Sequence, residues 1–268
     1  MHSPSRPAAE SSASADAAWH SIVEQASQGY RGTDAHAFRF ARAKLSHDRI
    51  FRHVLEAGLI PAGAHVVDAG CGQGLFASLL RAAAAVAGQG RWPTAWAGPP
   101  IDAHVTGIDL LELDLVRANA ALGEAATFVH ADMRRFDFPP CDRVVFLDTL
   151  HYIAPAEQDA VLAKACAALR PGGALVLRAH DASSTARYRI GLWVDRITML
   201  LHGGGFPPLA GRVPGAWRAT LEALGLTVET MPMNGRPPFA NLLIVGRAPG
   251  SSGRRGDPHA AAGREPRS

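Results

Sequence analysis

Three glycines at alternate positions, Gly70, Gly72 and Gly74, separate the short apolar run Val66-Val67-Asp68-Ala69 from the stretch "LFASLLRAAAAVAG". Glycine at such a junction permits backbone angles closed to other residues and lets a ligand lie against bare main chain. The dinucleotide fingerprint GxGxxG would need a glycine at position 75, which is Leu75 here, so the spacing points away from a nicotinamide or flavin dinucleotide. Further on, "GIDL" sets Asp109 at the end of an apolar run, where a carboxylate can accept two hydrogen bonds from a ribose diol. "HADM" then sets Asp132 and Met133 after a third such run. There a carboxylate can take an exocyclic amino proton while the next backbone N–H meets a ring nitrogen. Taken singly, Asp109 and Asp132 also fit helix N-caps; the ordered set fits one ligand with an amino-acid, a ribose and a base portion. Asp109 lies 35 residues beyond Gly74, against about 20 in the dinucleotide pattern. The surplus, "GQGRWPTAWAGPPIDA", reads as an inserted surface loop.

These residues need strand ends to hold them. "HVVDAG", "HVTGIDL", "ATFVH", "DRVVFLDTL" and "GALVLRAHD" read as five buried strands. "LFASLLRAAAAVAG", "LDLVRANAALG" and "PAEQDAVLAKACAALR" read as the helices between them, the last with Pro155 in its first turn and Pro171-Gly172-Gly173 closing it. Strands and helices in alternation predict a doubly wound, Rossmann-like α/β sheet, mostly parallel. At the end, "WRATLEALG" is a helix and "LTVETMPM" and "FANLLIVGR" are strands joined by "NGRPP", too short for a parallel crossover. That pair is predicted antiparallel. Upstream, "DAHAFRFARAKLSHDRIFRHVLEAGL" has the spacing of one or two helices.

The expected organisation is a disordered tail over 1–17, an N-terminal helical cap over 18–58, a ligand-binding domain over 59–248 with a cap insertion at 182–213, and a disordered tail over 249–268. With 268 residues, 47% hydrophobic and 19% charged, the chain suits one globular core. No apolar run approaches the ~20 residues of a spanning helix, and the N-terminal residues lack the apolar centre of a signal peptide; a cytoplasmic location is expected. Cys71, Cys141 and Cys166 show no CxxC spacing and read as small buried residues, with no metal site expected. The net charge of +3 owes much to the last twenty residues, which hold four arginines against two acids and no aromatic side chain to stack on a base. Nucleic acid is not an expected partner.

The set "VVDAGCGQG", "GIDL", "ADM", "DRVVFLDTLHYI" and "LRPGG" resembles the class I S-adenosylmethionine-dependent methyltransferases. That resemblance implies a seven-stranded sheet ending in an antiparallel hairpin, with S-adenosyl-L-methionine as cofactor. It implies that Asp68, Gly70, Cys71, Gly72 and Gly74 line the methionine end, that Asp109 and Leu110 hold the ribose, and that Asp132 and Met133 hold the adenine. Leu147 and Asp148 would face the cofactor's amino end and the substrate. For an acceptor that must lose a proton, His151 is the preferred general base, with Tyr152 and Asp181 beside it and His180 as a further candidate; a histidine capping its helix is the other reading of His151. Tyr30, Arg31 and Lys44 could close over the cofactor, and the apolar face of Leu192, Trp193, Ile197, Leu200 and Leu201 could form a lid. "LDTLHYI" and "PFANLLIVGR" are similar to methyltransferases of bacterial aryl-polyene and other pigment pathways, which implies a small aromatic or acyl substrate, free or carried on a protein. "DTLH" stands where base-amino methyltransferases often carry "NPPY" or "DPPF". Methylation of a macromolecule, and a non-catalytic cofactor-binding protein, are the other two readings.

Overall fold

The structure is a computed structural model that describes residues 6–180, 210–233 and 241–250. Seven strands form one sheet: β1 (His65–Ala69), β2 (His104–Asp109), β3 (Thr127–His130), β4 (Cys141–Leu147), β5 (Leu169–His180), β6 (Thr227–Pro232) and β7 (Asn241–Arg247), in the spatial order β3-β2-β1-β4-β5-β7-β6. The first five run parallel; β7 is antiparallel to both β5 and β6. The chain builds outward from β1 to β3 and then returns to place β4 on β1's other side. The resulting switch point opens a crevice beyond the carboxyl ends of β1 and β4, where such sheets hold ligands.

Side-chain alternation explains why the strands are apolar almost throughout. Val66, Val105, Val145, Val176 and Val245 point to one face and join α1 (Arg6–Gln28), α2 (Ala35–His47), α3 (Arg49–Glu56) and α4 (Leu75–Gly88) in one buried cluster. Val67, Ile108, Val144, Phe146, Leu175 and Leu177 point to the other. There they meet Val161 and Leu162 of α6 (Pro155–Ala168) and Trp217 and Leu221 of α7 (Pro214–Ala223). A strand buried on both faces leaves no polar stripe. The remaining helix, α5 (Glu112–Leu122), connects β2 towards β3.

Three expectations differ from what is found. Instead of a tail reaching residue 17, α1 begins at Arg6 and buries Ala15, Ala18, Ile22 and Ala26, a helical stripe of three alanines and one isoleucine on a helix that packs on the alanine-rich α4. Pro171, Gly172 and Gly173 do not close α6, which ends at Ala168; they form the irregular start of β5, whose regular pairing with β4 begins at Ala174. The inserted loop is pinned at several points: Trp96 is buried, Trp92 Nε1 donates to the Ala97 carbonyl (2.7 Å), and the Ala97 N–H donates to Glu56 (3.0 Å). The apolar face over 192–201 and the tail from 251 lie outside the described residues.

Candidate functional site

All three loop glycines adopt positive φ: 81° at Gly70, 52° at Gly72 and 77° at Gly74. Only glycine enters that region freely. Their surroundings differ in a telling way. A Cβ on Gly70 would collide with Cγ2 of Thr149, and one on Gly74 would lie 2.7 Å from Phe128 Cζ. A Cβ on Gly72 would meet nothing within 4 Å. The outer glycines are required by packing; the middle one borders open space.

The loop lies across the tip of β2. Gly70 and Cys71 donate their N–H groups to the Ile108 carbonyl (2.8 and 3.0 Å), and Gly72 N–H donates to Asp109 Oδ2 (2.7 Å). Asp109 Oδ1 accepts from Leu111 N–H (2.9 Å), which fixes the carboxylate between loop and strand end. On the neighbouring strand, Ala131 N–H donates to the Asp109 carbonyl (3.1 Å), placing Asp132 next in line at the tip of β3. Gly72 and Asp109 are thus in direct contact, and Asp132 follows the tip of the adjacent strand. Met133 is half-buried, and Leu110 is exposed on the rim. Asp132 is already engaged: Arg134 donates from its backbone and guanidinium and reaches on to Glu157 (3.0 Å). Those contacts hold the Asp132 carboxyl below the usual range.

Asp68, at the centre of the sheet, is buried, and desolvation with Asp109 nearby pushes its carboxyl up to about 7. Burial also raises Asp109, opposed by the N–H groups of Leu111 and Gly72. A buried acid beside a second acid suits a site that receives a cation. Burial pushes the Cys71 thiol far up, so it fills space beside Gly107 and is no nucleophile.

Beyond β4, Asp148 has φ 59°, a left-handed conformation costing an aspartate about 1 kcal/mol. Arg178 of β5, 1% exposed, holds it with Nε on Oδ1 (2.8 Å) and Nη2 on Oδ2, while Nη1 reaches Asp48 (2.5 Å). Lys44 Nζ pairs with Asp48 (2.9 Å) and Asp148 (3.5 Å). Two acids and two cations thus close the α2–α3 joint onto the ends of β4 and β5. Leu147 is half-buried beside them.

The following turn, 150–152, carries His151 and Tyr152, whose rings sit 4.1 Å apart; His151 is 4% exposed. Gln158 Nε2 stitches this turn, donating to the carbonyls of Leu150 (3.0 Å), Ile153 (3.1 Å) and Ala210 (2.8 Å). Ala210 N–H returns a bond to the His151 carbonyl (2.8 Å). Where the described chain resumes, Ala210 is therefore bonded to the turn that bears His151. Asp181 lies outside the described residues; His180 is described through its backbone, which pairs with Asn241.

The N-terminal helices reach the glycine loop directly. Buried Tyr30 donates its hydroxyl to the Gln73 carbonyl (2.8 Å), and Gln73 Nε2 donates to Ala37 (3.2 Å). Arg31 lies over the Phe38 ring at 4.7 Å, and Arg117 of α5 holds Asp34 (2.9 Å). Thr149, Gln73, Asp48 and Arg178 were not singled out by sequence. Arg178 had a visible signal, a lone cation inside the apolar run "ALVLRAH". Among the described residues no group of three His, Cys, Asp or Glu is placed to hold a metal ion, and no helix is long and apolar enough to cross a membrane.

Residues 84–173 match a protein family described as "Methyltransferase domain". A curated relative, the carboxy-S-adenosyl-L-methionine synthase of Chromohalobacter salexigens, is 36% identical over 120 residues, covering 43% of this chain and 39% of the relative. Among solved structures, an O-methyltransferase family protein from Burkholderia thailandensis is similar over 81% of this chain and 60% of its own, at 20% identity and a TM-score of 0.54. The magnesium protoporphyrin IX methyltransferase of Synechocystis PCC 6803, with bound SAH, is similar over 81% and 89% at 19% identity and a TM-score of 0.52. The chain thus spans 39% of the curated relative and 60% of the first of these structures, less than two thirds of each.

Proposed function

We propose that this chain is an S-adenosylmethionine-dependent methyltransferase acting on a small acceptor, aromatic or acyl, free or attached to a carrier. It has the class I methyltransferase fold, with the seven-stranded order and the antiparallel last strand. One observation carries the reading: a three-glycine loop whose middle member borders open space while its N–H rests on the strand-tip acid Asp109.

The residues present fit the cofactor. Open space beside Gly72 accommodates a group lying on bare backbone, and Asp68, buried at a cost, gains a counter-charge from a cationic amino-acid portion. Bound there, S-adenosylmethionine supplies an electrophilic methyl on a sulfonium, already a good leaving group. Asp109 would take the ribose hydroxyls on the lone pairs left by Gly72 and Leu111. Asp132 would keep Arg134 and accept an adenine amino proton, since a carboxylate has about four acceptor sites, with Met133 N–H on the ring. What remains for the protein is alignment and exclusion of water. His151, buried at the turn after β4, would take the proton from an acceptor hydroxyl. The resemblance of "LDTLHYI" to pigment-pathway enzymes supports the aromatic or acyl class.

Calorimetric titration with S-adenosylmethionine tests the binding half, with carboxy-S-adenosyl-L-methionine as competitor because the curated relative is named for it. Radiolabel transfer into a protein-free extract separates small acceptors from macromolecular ones. His151→Ala is expected to slow turnover at least tenfold with cofactor affinity within twofold of wild type; turnover at the wild-type rate would remove His151 as the base.

A further inference from the structure

We infer that Arg178 is a positioning residue for the glycine loop, acting through Asp148 and Thr149; the inference deepens the methyltransferase reading and rests on it for its ligand. Asp148 is one of two non-glycine residues with positive φ among those described, and the other, Asp102, lies in the inserted loop. Arg178 grips both carboxylate oxygens of Asp148, and Arg178 itself is immobilised by complete burial and by Asp48. The left-handed turn at Asp148 redirects the chain so that Thr149 falls back onto the neighbouring strand. Its Oγ1 donates to the Ala69 carbonyl (3.0 Å), and its Cγ2 occupies the place that a side chain on residue 70 would need. Gly70 is the first residue of the loop that carries Gly72. A continuous line of contacts therefore runs from β5, through the tip of β4, to the cofactor side of β1.

No step in that line is a contact from Arg178 to the ligand. Its predicted signature is selective: disturbing the line should move the part of the loop that faces the amino-acid portion of the cofactor and spare the base and ribose sites on β2 and β3. Asp109 shares one carboxylate oxygen with Gly72 of the loop but keeps the Leu111 N–H on the other when the loop shifts, and Asp132 is held by Arg134.

The test compares wild type with Arg178→Met, Arg178→Lys, Asp148→Ala and Asp148→Gly. Calorimetry is run with S-adenosylhomocysteine and with 5′-methylthioadenosine, which lacks the amino-acid portion. Arg178→Met is expected to weaken S-adenosylhomocysteine at least tenfold and 5′-methylthioadenosine less than twofold, with partial recovery in Arg178→Lys. Asp148→Ala should lose more than Asp148→Gly, because glycine accepts the left-handed backbone that alanine resists. Amide exchange at Gly70 and Cys71 in the ligand-free proteins provides a readout that needs no cofactor. Both amides should open at least tenfold faster in Arg178→Met and Asp148→Ala than in wild type. Equal losses for the two ligands, or unchanged exchange, would overturn the inference. A wild type that binds neither ligand, with the exchange rates still responding to Arg178, would instead overturn the methyltransferase reading alone.

Discussion

A carboxyl group at the middle of a sheet is protonated or paired, and burial together with the neighbouring acid Asp109 pushes Asp68 towards the protonated form. Its folded value of about 7 exceeds the ~3.9 of an unfolded aspartate. Between those values the native state holds more protons than the unfolded state, so Asp68 makes stability fall as pH rises from about 4 to 7. Asp68→Asn should flatten that fall, measured as melting temperature against pH. A cationic ligand favours the ionised form, so the affinity of the wild type for S-adenosylmethionine should rise about tenfold from pH 6 to pH 8. The Asn variant should lack that part of the rise; identical profiles would remove Asp68 from the site. Asp109→Ala should weaken the cofactor by about 1–3 kcal/mol through lost charged hydrogen bonds, and unchanged affinity in the same titration would overturn the ribose assignment. The position of Asp109 at a strand tip was legible because its signal is local: an acid at the end of an apolar run. Thr149 was not, since its partner Gly70 is 79 positions away and nothing near either residue announces the other.

Among elements, the strands and the helices after β1 could be read directly. Strand burial on both faces leaves continuous apolar runs, and the short link between β6 and β7 dictates their antiparallel pairing. The N-terminal helix was harder. Alanine and serine in "AAESSASADAAW" look like a low-complexity tail, yet small side chains are what let α1 approach the alanines of α4. The turn after β4 depends on an element that follows it: the two N–H groups of Gln158 Nε2 on α6 are shared among three carbonyls around His151. Gln158→Ala would leave buried acceptors without their donor and should cost about 2–4 kcal/mol, read as a shift in denaturant midpoint. A midpoint matching that of wild type would mean the turn is held by other contacts.

Considering the whole molecule, the cap and the sheet are one structure. Ile22, Val23 and Ala26 are buried against the domain, Ser78 Oγ donates to the Ala26 carbonyl (2.7 Å), and Tyr30 grips the glycine loop from the same side. Burying Ile22 and Val23 alone is worth about 1.5–3 kcal/mol each. A chain lacking residues 6–28 should melt at least 10 °C below the full chain; an equal melting temperature would show α1 to be a dispensable appendage. Sequence could divide cap from domain by pattern but could not reveal this union, because burial of α1 depends on a partner face formed only when α4 packs on the sheet.

The place of β7 has a consequence for biosynthesis. Among the described strands it is the last to leave the ribosome, yet it sits between β5 and β6, so β6 has no sheet edge to join while residues 241–247 are still inside the exit tunnel. The nascent protein must wait with one flank of its sheet incomplete and the apolar Leu243, Ile244 and Val245 not yet delivered, and a ribosome stalled shortly after Arg247 would display a chain that can be bound by chaperones but is not yet protease-resistant.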